Sequence, residues 1–343
     1  MVGFLIPYNS ILMKTGFMRM KVFSKRIIIF IIVLITVVTA CVKSNTTPGI
    51  TPGSTTITGI IKVATNLTFL DSAMSKAGLL GTLDSAGPYT LFAPVNIAFV
   101  NAGFTDSTIY KYSKDSLRTL MAYHIYAGYA KKVADLPQGP NAKLTTLLGD
   151  SIFVTVSGNN VFINGNLITQ NDIIASNGII HALSGLLIPS YGYNIFQALQ
   201  NLSVTTDTTL QFFVAALDRA SSSTIYPNID TLLSSGGIFS IFAPTNAAFI
   251  ALGYTTIDVI NNSNPDTLSR IMQCHLLNGR VFSSDFPQSG TLISIAGDSL
   301  AFETTFSLTV LSKGDSSVAA NITSVNRIAT NGVIHKIDKI LLP

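Results

Sequence analysis

The sequence predicts an α+β protein built from two tandem copies of one domain. Within each copy, apolar residues at helical spacing come first and β-branched runs follow, so helices should pack on an antiparallel sheet. The duplication rests on segments that recur in the same order. These are residues 90–99 with 240–249, residues 120–128 with 271–279, and residues 177–189 with 331–343.

Composition sets limits on function. The chain has 343 residues, of which 48% are hydrophobic and 11% charged, enough apolar material for two cores. The formal net charge is +4, but five basic residues and no acidic one precede residue 41, so the remaining chain is nearly neutral. Because the chain after residue 41 carries little charge, it lacks the basic surface that nucleic-acid binding requires. Glu303 is the only glutamate, which excludes mechanisms that need paired glutamates.

The N-terminal segment predicts export. A basic stretch from Met18 precedes an apolar run over residues 27–40 and then Cys41, the arrangement of a secretory signal. The run is shorter than the roughly 20 residues of a comfortable membrane span. Residues 38–41, Val-Thr-Ala-Cys, resemble the lipobox of bacterial lipoproteins, which implies a lipid on Cys41 and a membrane-attached N-terminus. An uncleaved N-terminal anchor is the alternative.

The predicted domain boundaries follow from this. Residues 1–41 form the lipoprotein signal segment and residues 42–57, rich in Thr, Pro and Gly, form a flexible tether. Domain 1 covers residues 58–190 and domain 2 residues 193–343. The short Tyr191-Gly192-Tyr193 link predicts a restricted relative orientation. Since residue 42 is not aspartate, the resemblance favours the outer membrane, at the cell-surface or periplasmic face.

Each domain opens with a helix and a short strand that runs into Ala-Pro. Pro94 and Pro244 should end these strands because proline fixes φ. Asn96 and Asn246 follow two residues later, where they would cap the next helix. The strand-rich second half is predicted from apolar and β-branched runs. These are residues 152–156, 161–163 and 179–188 in copy one, and 292–295, 300–302 and 306–311 in copy two.

All four histidines fall at equivalent points of the two copies. His124 and His275 end a helical apolar stripe at i, i+3, i+4, i+7, while His181 and His335 alternate with isoleucines after an Asn-Gly turn. Buried structural roles are favoured for all four. Presentation of His124 or His275 to a ligand is the alternative.

At these residues the sequence closely resembles the fasciclin domain family. Residues 90–99 and 240–249 are similar to the first family signature, residues 177–189 and 331–343 to the second, and Tyr123-His124 to the Tyr-His motif between them. The resemblance covers residues 58–343. It implies a β-sheet wedge with packed helices, and a role in adhesion or matrix interaction rather than catalysis.

The resemblance also implies candidate interaction residues. Asp172-Ile173 is similar to segments associated with integrin contact in animal members, whereas copy two has Asn326-Arg327 there. The idea of a protein-binding surface is carried over, without its partner. The candidate interaction residues are Tyr123, His124, Asp172, Ile173 and His275; the repeat-equivalent structural residues are Pro94, Asn96, His181, Pro244, Asn246 and His335.

No motif indicates catalysis or a cofactor. The sequence has no Gly-x-Ser-x-Gly, Gly-x-Gly-x-x-Gly or Walker pattern, and no His or Cys pairs at metal-ligand spacing. No catalytic, cofactor-binding or metal-binding residue is predicted, and no enzyme activity. With Cys41 lipidated, Cys274 has no disulfide partner.

The preferred hypothesis is a non-enzymatic envelope lipoprotein with an adhesion or scaffold role toward a protein or an extracellular polysaccharide. The alternative is a glycan-binding accessory protein of an outer-membrane nutrient-uptake system, which clustered exposed tyrosines would favour. A small-ligand carrier would need a large apolar pocket. Nine Asp-Ser/Thr triplets resemble the O-glycosylation sequon of Bacteroidota envelope proteins, but such triplets are also common caps and turns.

Overall fold

The computed structural model describes residues 53–305, 307–312, 314 and 318–343. The predicted signal segment, Cys41 and most of the predicted tether lie outside these residues. The described residues form one compact unit. Within the described part of the chain, none of the helices combines the length and hydropathy needed to cross a membrane.

Domain 1 contains six α-helices and seven strands among its described residues. The helices are α1 (Ile57–Val63), α2 (Thr68–Ala77), α3 (Leu80–Asp84), α4 (Asn96–Asn101), α5 (Asp106–Ile109) and α6 (Lys114–Ala122). The strands are β1 (Tyr89–Pro94), β2 (Ile125–Ala127), β3 (Ala142–Thr145), β4 (Ser151–Ser157), β5 (Asn160–Ile163), β6 (Asn166–Ala175) and β7 (Gly178–Leu183). A 3₁₀ turn covers Val133–Asp135.

Domain 2 repeats this order. Its helices are α7 (Ile195–Thr205), α8 (Gln211–Ala220), α9 (Ile229–Ser234), α10 (Asn246–Ala251), α11 (Ile257–Asn261) and α12 (Pro265–Cys274). Its strands are β8 (Phe239–Pro244), β9 (Leu276–Asn278), β10 (Thr291–Ile293), β11 (Ser299–Glu303), β12 (Thr309–Ser312), β13 (Ala320–Ala329) and β14 (Gly332–Ile337). Further 3₁₀ turns cover Thr208–Leu210 and Ser283–Asp285.

Each domain has one seven-stranded sheet, which confirms the predicted α+β class with two tandem domains. The strand orders are β2-β1-β7-β6-β5-β4-β3 and β10-β11-β12-β13-β14-β8-β9. The sheets differ from the fully antiparallel arrangement predicted, because β1 pairs with β7, and β8 with β14, in parallel. A parallel pair needs a long connection, and here most of the domain's other elements lie between the two strands.

The strand that joins the two halves of each sheet was not predicted. β6 and β13 each span ten residues, but polar side chains interrupt their apolar pattern. Each also carries register shifts against its neighbour, which break the simple alternation of faces. The predicted run 179–188 is strand only as far as Leu183.

Alternation along the central strands divides the domain 1 core in two. Leu91 and Ala93 of β1 pack with the helices, whereas Phe92 between them points into a second cluster with Tyr123 and Leu183. Domain 2 has the corresponding pair of clusters. The helices therefore cover one face of each central strand pair, and the outer strands of the wedge cover the other.

Asn96 and Asn246 do not cap the helices that follow them, so that prediction was wrong. Each is the first residue of its helix, and its side chain turns back to an earlier helix start. Asn96 Oδ1 accepts from the Phe69 N–H (3.1 Å) and its Nδ2 donates to Thr65 O (3.1 Å). Asn246 binds Phe212 N–H (2.9 Å) and Thr208 O (3.0 Å) in the same way. These asparagines supply the cap that α2 and α8 lack.

Candidate interaction surface

His124 and His275 join a helix end to the last segment of each domain. Both are fully buried. His124 Nδ1–H donates to Leu120 O (2.9 Å), so Nε2 is the acceptor for the Leu187 N–H (3.0 Å). His275 binds Ile271 O and Leu341 N–H at 2.9 Å each. Burial lowers the pKa of each imidazole to about 4, so both are neutral at physiological pH.

His181 and His335 hold a loop against the bulge in β6 or β13. Nε2–H of His181 donates to Lys131 O and that of His335 to Val281 O, at 2.9 Å each. Nδ1 of His181 then accepts from the Asp172 N–H (3.2 Å). Burial lowers the pKa of both rings, that of His335 to about 4. The duplicated fold therefore uses each histidine as a neutral hydrogen-bonding bridge.

The Tyr123 side chain is also buried. Its hydroxyl donates to Ser151 O (2.7 Å) and accepts from Asn164 Nδ2 (2.9 Å), and burial raises its pKa above the usual value. Copy two has Cys274 at this position, whose thiol lies 3.2 Å from Asp298 Oδ2. Tyr123, His124 and His275 are all 0% exposed, so none can present its side chain to a partner in this fold.

Asp172 and Asn326 occupy the same place in the two bulges. Both have positive φ, 54° and 62°, a conformation that Asp and Asn tolerate better than most residues. Asp172 Oδ1 accepts from the Val133 N–H and Asn326 Oδ1 from the Ser283 N–H, at 2.8 Å each. Their side chains thus fix the 3₁₀ turn beside the bulge. Ile173 packs against the helix-side core of domain 1.

In domain 2 the surface around this bulge binds domain 1. The guanidinium of Arg280 lies over the Phe153 ring, 4.3 Å from its centroid, and Phe282 packs against the same ring (6.1 Å between centroids). Asn141 Nδ2 donates to Arg280 O (2.6 Å). Ile328 is buried in the cluster that includes Phe282 and contacts Phe153.

A close approach of the Gly165 backbone to the Asn326 side chain completes this contact. A Cβ placed on Gly165, in the β5–β6 turn of domain 1, would lie 2.5 Å from the Asn326 side chain. Gly165 also has φ +74°, so a larger residue there would be strained as well as crowded. We call the surface formed by Arg280, Phe282, Asn326 and Ile328 the bulge face of domain 2.

The bulge face of domain 1 consists of Lys132, Asp172 and Ile174, which are equivalent to Phe282, Asn326 and Ile328, together with Tyr129 of the Tyr129-Ala130 segment that stands where copy two has Arg280. The equivalence is given by matched hydrogen bonds and strand register: Lys132 and Phe282 each precede the 3₁₀ turn, and Ile174 pairs with Ile179 as Ile328 pairs with Val333. Ile174 is 44% exposed where Ile328 is 4% exposed, and the neighbouring Tyr129 is 59% exposed. An open groove of about 480 Å³ runs beside Lys132 and Ile174.

The sequence pointed to Asp172 as a member of this surface and to Tyr129 only among the tyrosines of the glycan-binding alternative, whereas Lys132 and Ile174 were missed. The signal that could have found them is that the two copies carry different residue types at matched positions. Lys132 stands where copy two has the interface residue Phe282, and Tyr129-Ala130 where copy two has only Arg280. Among the described residues, no group of three or more His, Cys, Asp or Glu side chains could hold a metal ion.

The buried thiol of Cys274 has its pKa raised to about 12, by burial and by the neighbouring Asp298 carboxylate. Such a thiol is protonated at neutral pH and is a poor nucleophile.

Comparison with known proteins finds relatives on both domains. Rat stabilin-2 is 26% identical over 234 residues, which cover 64% of this chain and 15% of stabilin-2. Protein sll1483 of Synechocystis is 32% identical over 135 residues, 38% of this chain and 73% of that protein. A solved domain pair from the insect cell adhesion molecule fasciclin I matches with 18% identity and a TM-score of 0.37, over 80% of this chain and 96% of that chain.

The family model of the fasciclin domain matches twice, at residues 65–189 and 210–343. These ranges contain the two seven-stranded sheets and the four histidine bridges described above. The chain therefore belongs to the fasciclin domain family and carries two copies of the domain.

Proposed function

We propose that this protein is a membrane-attached interaction module with a role in adhesion or matrix binding, and that domain 1 binds a protein partner through its bulge face. One observation carries the proposal. In domain 2 the same face of the same fold already binds a protein surface, that of domain 1, whereas in domain 1 it is exposed.

The chemistry of the domain 1 bulge face suits a protein partner. Tyr126 and Tyr129 stack at 5.6 Å between ring centroids, and Lys131 Nζ lies 5.4 Å from the Tyr129 centroid. Lys132 and Ile174 add an exposed charge and an exposed apolar side chain. Aromatic anchors with an apolar centre and a charged rim are typical of binding surfaces.

The position of the face also bears on where the partner lies. The Gly53 N–H donates to Ile174 O (3.3 Å), so the described chain begins beside this face. A partner would therefore be contacted on the tether side of domain 1. In domain 2 the corresponding site lies beside the link to domain 1, where Thr330 N–H donates to Tyr193 O (2.8 Å).

Attachment through a lipid on Cys41 is part of the same proposal. It is supported by the lipobox-like residues 38–41. Protease treatment of intact cells, with Cys41→Ala as control, tests it. Release of the domains from wild-type cells places them at the cell surface, and protection until the envelope is opened places them in the periplasm. Unchanged membrane retention of Cys41→Ala would contradict lipid attachment.

The binding role is tested with a double variant of the bulge face, Lys132→Glu with Ile174→Asp, in the full-length protein. A matched double variant, Lys111→Glu with Ile97→Asp, makes the same changes at exposed positions outside the face. We expect the first variant to lose attachment of cells to matrix-coated surfaces, or capture of envelope partners, while the second retains both. Equal behaviour of the two variants would contradict the proposal.

A glycan partner is the second candidate, and the Tyr126–Tyr129 stack is the observation that favours it, because sugars bind exposed aromatic rings. Tyr129→Ala tests it through binding of extracted cell-surface polysaccharide. If the variant loses polysaccharide retention while Lys132→Glu with Ile174→Asp does not, the glycan alternative replaces the protein partner.

A further inference from the structure

A cleft of about 300 Å³ lies between the two domains, and its lining includes Asn326 of the bulge face but not Arg280, Phe282, Ile328 or Phe153. Leu186 and Leu187 of domain 1 and Leu202, Leu210 and Ile334 of domain 2 form its apolar part. Its volume is at the lower end of the range for small-molecule sites. Three charged side chains also line it: Asp207, Arg327 and Lys336.

Two of these charges neutralise each other. Lys336 Nζ lies 2.6 Å from Asp207 Oδ2. Arg327 is different: it is half-buried, and among the described residues its guanidinium makes no ion pair and no side-chain hydrogen bond. Burial lowers the pKa of Arg327, and the Tyr191 hydroxyl opposes that shift. A partly desolvated arginine without an acceptor is uncommon, because five N–H donors are left unsatisfied.

The fold itself does not require these charges. Arg327 pairs with Ile334 in domain 2, and the matching pair in domain 1 is Ile173 with Ile180. Lys336 pairs with Ala243, and the matching pair is Ala182 with Ala93.

Thr208 and Thr65 match because the carbonyl of each accepts from the equivalent asparagine, Asn246 or Asn96. The residue before Thr208 is Asp207, whereas the residue before Thr65 is Ala64. Copy one therefore has apolar residues at all three positions.

From this geometry we infer that the cleft between the domains is a binding site for a small carboxylate with an apolar body, in which Arg327 binds the carboxylate. A guanidinium binds a carboxylate through two parallel hydrogen bonds, which would satisfy the free donors. The leucine and isoleucine side chains would cover the rest of the ligand.

The Lys336–Asp207 pair and the amide of Asn166 would contribute further polar contacts at the rim. Because Lys336 and Asp207 are paired with each other, Arg327 is the cleft's one charged side chain left for an anion, among the described residues that line it.

The test is isothermal titration calorimetry of the full chain in lipid nanodiscs, with hexanoate and 3-phenylpropionate as probes. The uncharged 3-phenylpropanamide is the matched ligand control, and empty nanodiscs are the blank. We expect saturable binding of at least one carboxylate and at least tenfold weaker binding of the amide. Arg327→Gln should weaken carboxylate binding at least tenfold, because the charge-assisted hydrogen bonds are lost.

Two more variants keep the test decisive. Arg327→Ile restores the residue that copy one carries, so the fold should tolerate it, and its unfolding temperature checks this. Arg118→Gln removes an exposed arginine of α6 and should bind like wild type. Failure of both carboxylates to bind, equal binding of acid and amide, or unchanged binding by Arg327→Gln and Arg327→Ile would each overturn the inference.

Discussion

The guanidinium of Arg280 in domain 2 lies 4.3 Å from the centre of the Phe153 ring in domain 1. The same guanidinium donates hydrogen bonds to the carbonyls of Ala329, Thr330 and Gly332. Arg280 is thus bound by its own domain on one side and by the neighbouring domain on the other. Burial lowers its pKa to about 10, which still leaves it charged at neutral pH. Domain 2 of this chain therefore binds domain 1 through its bulge face.

Arg280 and Phe153 should be energetically coupled. Arg280→Ala leaves buried carbonyls without donors, and we expect a loss of about 2 kcal/mol in the free energy of unfolding. A double-mutant cycle with Phe153→Ala should give a coupling of about 0.5–1 kcal/mol. Urea unfolding followed by circular dichroism measures both. Strict additivity of the two changes would show that the guanidinium and the ring are adjacent without interacting.

Stability should fall as the solution is acidified from pH 6.5 toward pH 4. The pKa values of His124, His275 and His335 are about 4 in the folded protein, below the ordinary 6.5 of the unfolded chain. Below pH 6.5 the unfolded state therefore binds protons that the folded state does not, and each histidine costs about 1 kcal/mol per pH unit. Urea unfolding at pH 7.5, 6 and 5 checks this. His124→Asn should show a shallower slope, whereas a flat profile would contradict the buried neutral rings.

Asn96→Ala should destabilise domain 1 by about 1–2 kcal/mol, because α2 loses the acceptor for the Phe69 N–H. Asn96→Asp should recover part of this loss, since it keeps the acceptor and removes the donor to Thr65 O. Asn101→Ala, at the exposed end of the same helix, is the control and should change stability by less than about 0.5 kcal/mol. The free energies of unfolding of the three variants measure this. Equal losses for Asn96→Ala and Asn101→Ala would show that Asn96 does not cap α2.

The Cys274 thiol should be unreactive in the folded protein. Burial and the Asp298 carboxylate raise its pKa to about 12, so almost none of it is thiolate at pH 8. In the Cys41→Ala variant, where it is the only cysteine, Ellman's reagent should react within minutes in guanidinium chloride and far more slowly without it. Rapid labelling of the folded protein would mean that the thiol is accessible.

The tandem architecture was predictable from sequence because duplication places the same residue types at the same spacing twice. The i, i+3, i+4, i+7 stripes also predicted that His124 and His275 are buried, although both lie just past the ends of α6 and α12 rather than within them. β6 and β13 escaped prediction because their bulges put polar residues where alternation would require apolar ones.

The contact between the two domains was not predicted from the sequence, for a physical reason. An arginine such as Arg280 is ordinarily exposed, and only the fold supplies the three carbonyls and the ring that make its burial possible. Likewise the helix that Asn96 caps begins 28 residues earlier in the chain, which no local pattern can reveal.

The most direct test of a free binding face is site-specific photocrosslinking in living cells. A photoreactive amino acid replaces Lys132 on the bulge face of domain 1 or, as control, Lys111 at an exposed position outside it. We predict a crosslinked protein partner at position 132 that is missing at position 111, and its loss when Ile174→Asp is added. The same products at both positions, or none at position 132, would contradict the account.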